Sequence, residues 1–152
     1  AAELKRKKRL LLEEVRTAID GATILKARVA SVQPLRLRGL QTACLAFPLD
    51  AKINDVKVVI PFKEVFQNEP KFEGTDASTE EGEKDLLKRQ MQFLRGLIGA
   101  VVRYLPENII EQTDGSYTII GSRANALAIE REYYYCRENI KKLLPIIQKH
   151  LK

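Results

Sequence analysis

The sequence predicts a mainly β domain with flanking α-helices, and three observations carry that prediction. Short runs of period-two alternation recur between residues 21 and 120, each bounded by Pro, Gly or Asn-Asp. Helical stripes stand at both ends, over residues 3 to 19 and from about residue 122 onward. One acidic stretch breaks the strand rhythm in the middle and leads into a further helix. With 152 residues, 45% of them apolar, the chain is one domain long and can bury a core without disulfide or metal support. Its segments read as a basic helix over 1–20, a strand-built body over 21–123 and a helical extension over 124–152.

In the first segment Leu4, Leu11, Leu12, Val15, Ala18 and Ile19 fall near one helical stripe, which Asp20-Gly21 stops. Its first half carries Lys5, Arg6, Lys7, Lys8 and Arg9. Such a run can track a phosphate backbone or face an acidic partner, against the plainer reading of a solvated helix face.

From Gly21 to Val32 the period changes. Leu25, Ala27 and Val29 alternate with Lys26 and Arg28, a first strand with a basic outer face. Gln33-Pro34 is expected as a turn; Leu35 and Leu37 then alternate with Arg36 and Arg38, and Gly39 should bend or bulge a second strand on its way to Phe47. Paired, these strands would bring Lys26, Arg28, Arg36 and Arg38 near one another. Pro48-Leu49-Asp50-Ala51 reads as the next turn. In the third strand Val56, Val58 and Ile60 alternate with Lys57 and Val59 until Pro61, whose missing N–H takes the chain out of the sheet into a short helical turn, Lys63 to Phe66.

Residues 68 to 85 are rich in Glu and Asp and read as a mobile acidic loop; no EF-hand spacing marks it as a cation site, so no metal is expected. A helix should follow from Lys84 to Leu94. Ala100, Val102 and Tyr104 against Val101, Arg103 and Leu105 suggest a fourth strand covered on both sides and closed by Pro106. Asp114-Gly115 then turns a hairpin into a fifth strand, Ser116 to Ile120.

Ser122 is the natural N-cap of the last helix. Along it Ala126, Ile129, Tyr133, Cys136, Ile140, Leu143 and Ile147 recur at alternating three- and four-residue steps, a coiled-coil-like seam. The seam is expected first to pack on the chain's own body; self-association or docking through Tyr133, Tyr134, Ile140 and Leu143 is the other reading. Pro145 should kink or restart the helix.

The net charge of +6 favours polyanionic partners. Cys44 and Cys136 form no Cys-x-x-Cys pattern and fit reduced thiols of a cytoplasmic protein. The longest apolar runs are too short for a membrane span or a signal core, so a soluble chain is expected. The one histidine, His150, stands alone, and phosphate-cradling Gly-rich patterns are absent, so neither catalysis nor a cofactor is expected.

Five strands with a loop-plus-helix between the third and fourth follow the order of an OB-fold barrel. The chain resembles the S-one type of OB-fold RNA-binding domain over roughly residues 20 to 125. The resemblance rests on Gly21, on Val-Ile-Pro-Phe-Lys-Glu at 59 to 64, on Ile98-Gly99-Ala100-Val101-Val102 and on Ile120-Gly121-Ser122-Arg123. The run Met91 to Gly99 together with Gly121 to Ala124 is similar to a stand-alone group of that family encoded by phages and prophages of Gram-positive bacteria. The family's basic positions are matched best by Arg123. The stretches where family members expose stacking rings read Gly39 to Cys44 and Val58 to Pro61 here, without a ring.

Two functions are therefore expected from the sequence. One is a non-enzymatic binder of single-stranded RNA or DNA, with Lys26, Arg28, Arg36, Arg38, Lys57, Arg103 and Arg123 as phosphate contacts. The other is a phage virion structural protein whose partners are other phage structural proteins, with the barrel and terminal helices making protein contacts.

Overall fold

The computed structural model describes residues 2–37, 39–74 and 78–150. The chain runs through α1 (Ala2–Asp20), β1 (Leu25–Arg28), β2 (Ser31–Leu37), β3 (Leu40–Asp50), β4 (Ile53–Pro61), α2 (Phe62–Val65), α3 (Glu80–Leu94), β5 (Val101–Glu111), β6 (Tyr117–Ser122) and α4 (Arg123–His150). The mainly β body with helices before, within and after it is the expected class.

The strands form one six-stranded sheet in the order β1-β5-β6-β4-β3-β2. Neighbours are antiparallel except β4 and β6, which run parallel. Alternation decides what each strand buries. Val56, Val58 and Ile60 of β4 meet Leu45 and Phe47 of β3, Val102 and Tyr104 of β5 and Ile119 of β6 in the main core. α1 lays Leu12 and Val15 onto the same core, each burial contributing about 1.5–3 kcal/mol. On the opposite side of the sheet Cys44, Ala46 and Val59 form a small apolar patch with Leu35 and Ile120.

The expected first strand is divided. Val29 and Ala30 separate β1 from β2, because the chain changes partners there: Val29 N–H donates to the Ala100 carbonyl (2.9 Å) and Ala30 N–H to that of Ala46 (3.2 Å). Lys26 and Arg28 thus belong to the ladder with β5, and Arg36 to the ladder with β3. The expected grouping of the four basic residues is corrected to that extent, and Arg38 lies outside the described residues.

Four prolines expected to break or bend elements lie inside them. Pro34 is paired opposite Ala43 within β2, and the Ala43 N–H turns away to Gln90 Oε1, so this is a pair that exchanges no ladder bonds and the missing N–H removes none. Pro48 in β3 and Pro106 in β5 each stand where the register shifts, between Pro48 and Asp50 and between Pro106 and Asn108, and a bulge accommodates a residue that cannot donate. The turns fall elsewhere: Leu37 pairs with Leu40 around Gly39 (φ +79°), and Asp50 with Ile53. α4 continues through Pro145 as one helix to His150. Pro61 does end β4 as expected.

The acidic stretch is shorter as a loop than expected. Thr79 caps α3 by accepting the Gly82 N–H at 3.0 Å, and Glu80, Glu81 and Glu83 fill its first turn, where carboxylates complement the helix dipole. In β5 the outer side is open rather than covered, Val101 being 58% exposed.

Candidate nucleic-acid interface

The exposed basic residues are presented by the alternation that buries the core. In β1 Leu25 and Ala27 turn toward the core, which leaves Lys26 and Arg28 on the outer side. In β5 burial of Val102 and Tyr104 leaves Val101 and Arg103 outside. The antiparallel register then sets Lys26 opposite Arg103 and Arg28 opposite Val101. Like charges directly opposed across two strands repel, and here the protein offsets part of that repulsion. Part of the charge is held by the protein itself: Arg103 Nη1 bonds Glu130 Oε1 of α4 at 3.0 Å, and Arg28 Nη1 donates to the Gly99 carbonyl at 2.6 Å. Among the described residues Lys26 forms no ion pair. Ile98 and Val101, both exposed, add an apolar margin beside Arg28 that strand patterning alone had not singled out.

The other expected contacts are spread out. Lys57 stands on β4 opposite Thr118 of β6, two strands and roughly 10 Å from β5. It borders the small patch of Cys44, Ala46 and Val59; burial pushes the Cys44 thiol up to about 11, against the opposing pull of the Lys57 charge. No ring occupies this patch, in keeping with the sequence, and Phe47 and Phe62 are both core residues. Arg36 is exposed near the end of β2.

Arg123 is half-buried, and its Nη1 donates to the Val65 carbonyl at 2.7 Å. Beside it Ser122 Oγ donates to Glu64 Oε2 at 2.7 Å and accepts the Asn125 N–H at 3.0 Å as the cap of α4. Two of the segments that carry the family resemblance, residues 59–64 and 120–123, therefore meet here. Their contacts lock α2 to the start of α4, and no signal in the sequence shows that.

Of the basic run on α1, Lys5, Arg6, Lys7 and Arg9 are exposed. Lys8 is committed to the body: it pairs with Asp55, donates to the Gly115 carbonyl at 3.1 Å and stands 5.0 Å from the Tyr117 ring centroid. A mostly apolar cleft of about 280 Å³ separates α1 from the sheet, between Leu11, Val15, Leu25, Phe47 and Tyr104. Burial raises the Tyr104 phenol to about 12.

The apolar seam of α4 does not pack on the body, contrary to the first expectation. Ala126 is fully buried, but Tyr133, Ile140, Leu143 and Ile147 are all more than half exposed, and so are Tyr134 and Tyr135. The start of the helix packs on β5 and α2, and the rest leaves its apolar seam exposed. No helix among the described residues is long and apolar enough to cross a membrane, and none of their His, Cys, Asp and Glu side chains cluster in threes as a metal site would. Comparison with protein-family models, with curated proteins and with solved structures found no match to this chain.

Proposed function

We propose that the strands close through Val29 and Ala30 into an OB-type barrel and that the protein is a non-enzymatic binder of single-stranded nucleic acid, held mainly by its phosphates. The barrel reading is supported by β1 and β2, which stand at opposite ends of the strand order yet are joined by two residues, and by the parallel pairing of β4 with β6. With β1 and β2 taken as one bent strand, the count becomes the five of that fold, and the resemblance to S-one domains agrees with it.

The single observation that carries the nucleic-acid reading is the opposition of Lys26 and Arg103, with Arg28 two residues along β1. A phosphate chain along β1 and β5 would neutralise Lys26 and relieve the repulsion that Glu130 leaves, and Ile98 and Val101 offer apolar contact to sugar or base beside it. Without rings on the outer sides of β3 and β4, binding is weakly sequence-selective. Fluorescence anisotropy with labelled single-stranded RNA and DNA tests the proposal. Affinity should fall with salt at a log–log slope of about −0.7 for every phosphate contacted; no binding at low salt would defeat it.

A second reading, a phage virion structural protein, draws on the exposed apolar length of α4, which suits protein contacts better than a nucleic-acid partner. Mass spectrometry of purified particles decides it, and absence from them sinks it.

A further inference from the structure

We propose that α4 is a dimerisation helix, pairing with α4 of a second copy of this chain as a parallel, in-register coiled coil over residues 129 to 147. Ile129, Tyr133, Cys136, Ile140, Leu143 and Ile147 follow one another in strict steps of four and three, the spacing of a and d positions with Tyr133 at a. A face that met irregular surface would not need a period of 3.5 residues, which keeps an apolar stripe in register only with another helix. Every one of these residues is exposed in the single chain. At the far end Leu144 and Ile146 fall at the flanking e and g positions and widen the apolar band, and both are about half exposed. Pro145 falls at f, directly away from the seam, where its lost hydrogen bond faces solvent.

The body leaves room for the second helix. It touches α4 through Arg123, Asn125, Ala126 and Glu130, which bond or pack against Val65, Glu107, the sheet and Arg103. All four stand at the start of the helix, before Tyr133, and Ile129, between Ala126 and Glu130, is still 36% exposed.

Charge chooses both the occupant and its direction. In a parallel in-register pair, Glu132 at g reaches Arg137 at e of the other copy, and the symmetry makes that bridge twice. No like-charged e–g pair arises along the seam. The antiparallel register that layers Ile140 on Cys136 would instead set Arg137 against its own copy, and the one that layers Ile140 on Leu143 leaves Glu132 unmatched. The parallel arrangement also stacks Cys136 on Cys136 in a d layer, while Cys44 is buried in the sheet.

The full chain tests this without truncation. Sedimentation equilibrium should give a monomer–dimer equilibrium in the micromolar range, as expected of about three heptads. Ile140→Asp should weaken it by at least about a hundredfold, since it buries an unpaired charge in the seam. Because Ile140 is exposed in the single chain, that variant keeps its fold, which circular dichroism verifies. Diamide accepts the two hydrogens of paired thiols; it should link two chains through Cys136, and Cys136→Ser should abolish the link. Arg137→Glu should weaken the dimer roughly tenfold, and adding Glu132→Arg should restore it. A chain that stays monomeric at high micromolar concentration overturns the proposal, whether the face then serves a different protein or a lipid surface. A dimer that gives no Cys136 link and no charge-swap rescue overturns the parallel arrangement. None of these outcomes depends on nucleic-acid binding.

Discussion

The ring of Tyr104 lies against Gly121 so closely that a Cβ at residue 121 would stand 2.8 Å from Tyr104 Cδ2. Tyr104 also packs edge to face on Phe47 at a centroid distance of 5.2 Å, a contact that any displacement of its ring would disturb. Gly121→Ala should therefore destabilise the fold by about 1–3 kcal/mol through overpacking, read as a lower denaturation midpoint at unchanged slope. A midpoint equal to that of the parent chain would show that β6 can shift outward.

The same tyrosine gives the fold an alkaline limit. Burial raises its phenol from about 10 to about 12, so the folded state favours the neutral form. The sign follows: its contribution is complete below pH 10 and is lost as pH rises toward 12, because only the unfolded chain ionises readily there. Stability should fall by on the order of 2 kcal/mol across that window. In Tyr104→Phe this part of the decline should vanish, which urea titrations at a series of alkaline pH values would reveal.

Gln90 should matter more than an amide on a surface helix usually does. The last β3–β4 pair is Cys44 with Pro61, and next to it the Ala43 N–H donates to Gln90 Oε1 at 3.1 Å, with Thr42 Oγ1 3.2 Å from the same oxygen. Gln90→Leu leaves a buried donor without its acceptor, at a cost of about 1–3 kcal/mol. Hydrogen exchange at Ala43 should quicken in the variant; an unchanged rate would mean that another acceptor takes over.

Binding to single strands should respond to charge in a graded way. Lys26→Ala and Arg28→Ala should each weaken oligonucleotide affinity and flatten the log–log salt slope by about 0.7 if each contacts one phosphate. Arg123→Ala should instead lower stability, since that side chain holds the Val65 carbonyl, and should leave the slope nearly unchanged. A slope altered by Arg123→Ala but not by Lys26→Ala would move the interface away from β1 and β5.

Sequence periodicity located the elements where burial alternates along them. Val56, Val58 and Ile60 are wholly buried and Lys57 is exposed, so β4 was legible to its last residue, Pro61. α1 was legible for the same reason. What escaped were features set by partners distant in sequence. Nothing local in Val29-Ala30 tells that a strand changes neighbours there, and Pro34 and Pro48 look like breakers until the pairing of Pro34 with Ala43 and the bulge in β3 are known. The pairing of Lys26 with Arg103 could be read only once register was fixed. The commitment of Lys8 to Asp55 and of Arg123 to Val65 was likewise invisible, since a charged residue carries no local mark of its acceptor.

The placement of β1 and β2 at opposite ends of the strand order bears on how the chain acquires its fold. β2 can pair with β3 almost at once across a tight turn, but Leu25 waits for Tyr104, from the other end of the body. Such long loop closure slows folding and leaves β1 and the core under α1 exposed in the meantime. During synthesis Lys26 cannot meet Arg103 until β5 has emerged, and β5 is joined to the rest of the sheet only when β6 follows it. The face proposed to hold phosphates is therefore absent from the shorter nascent chain.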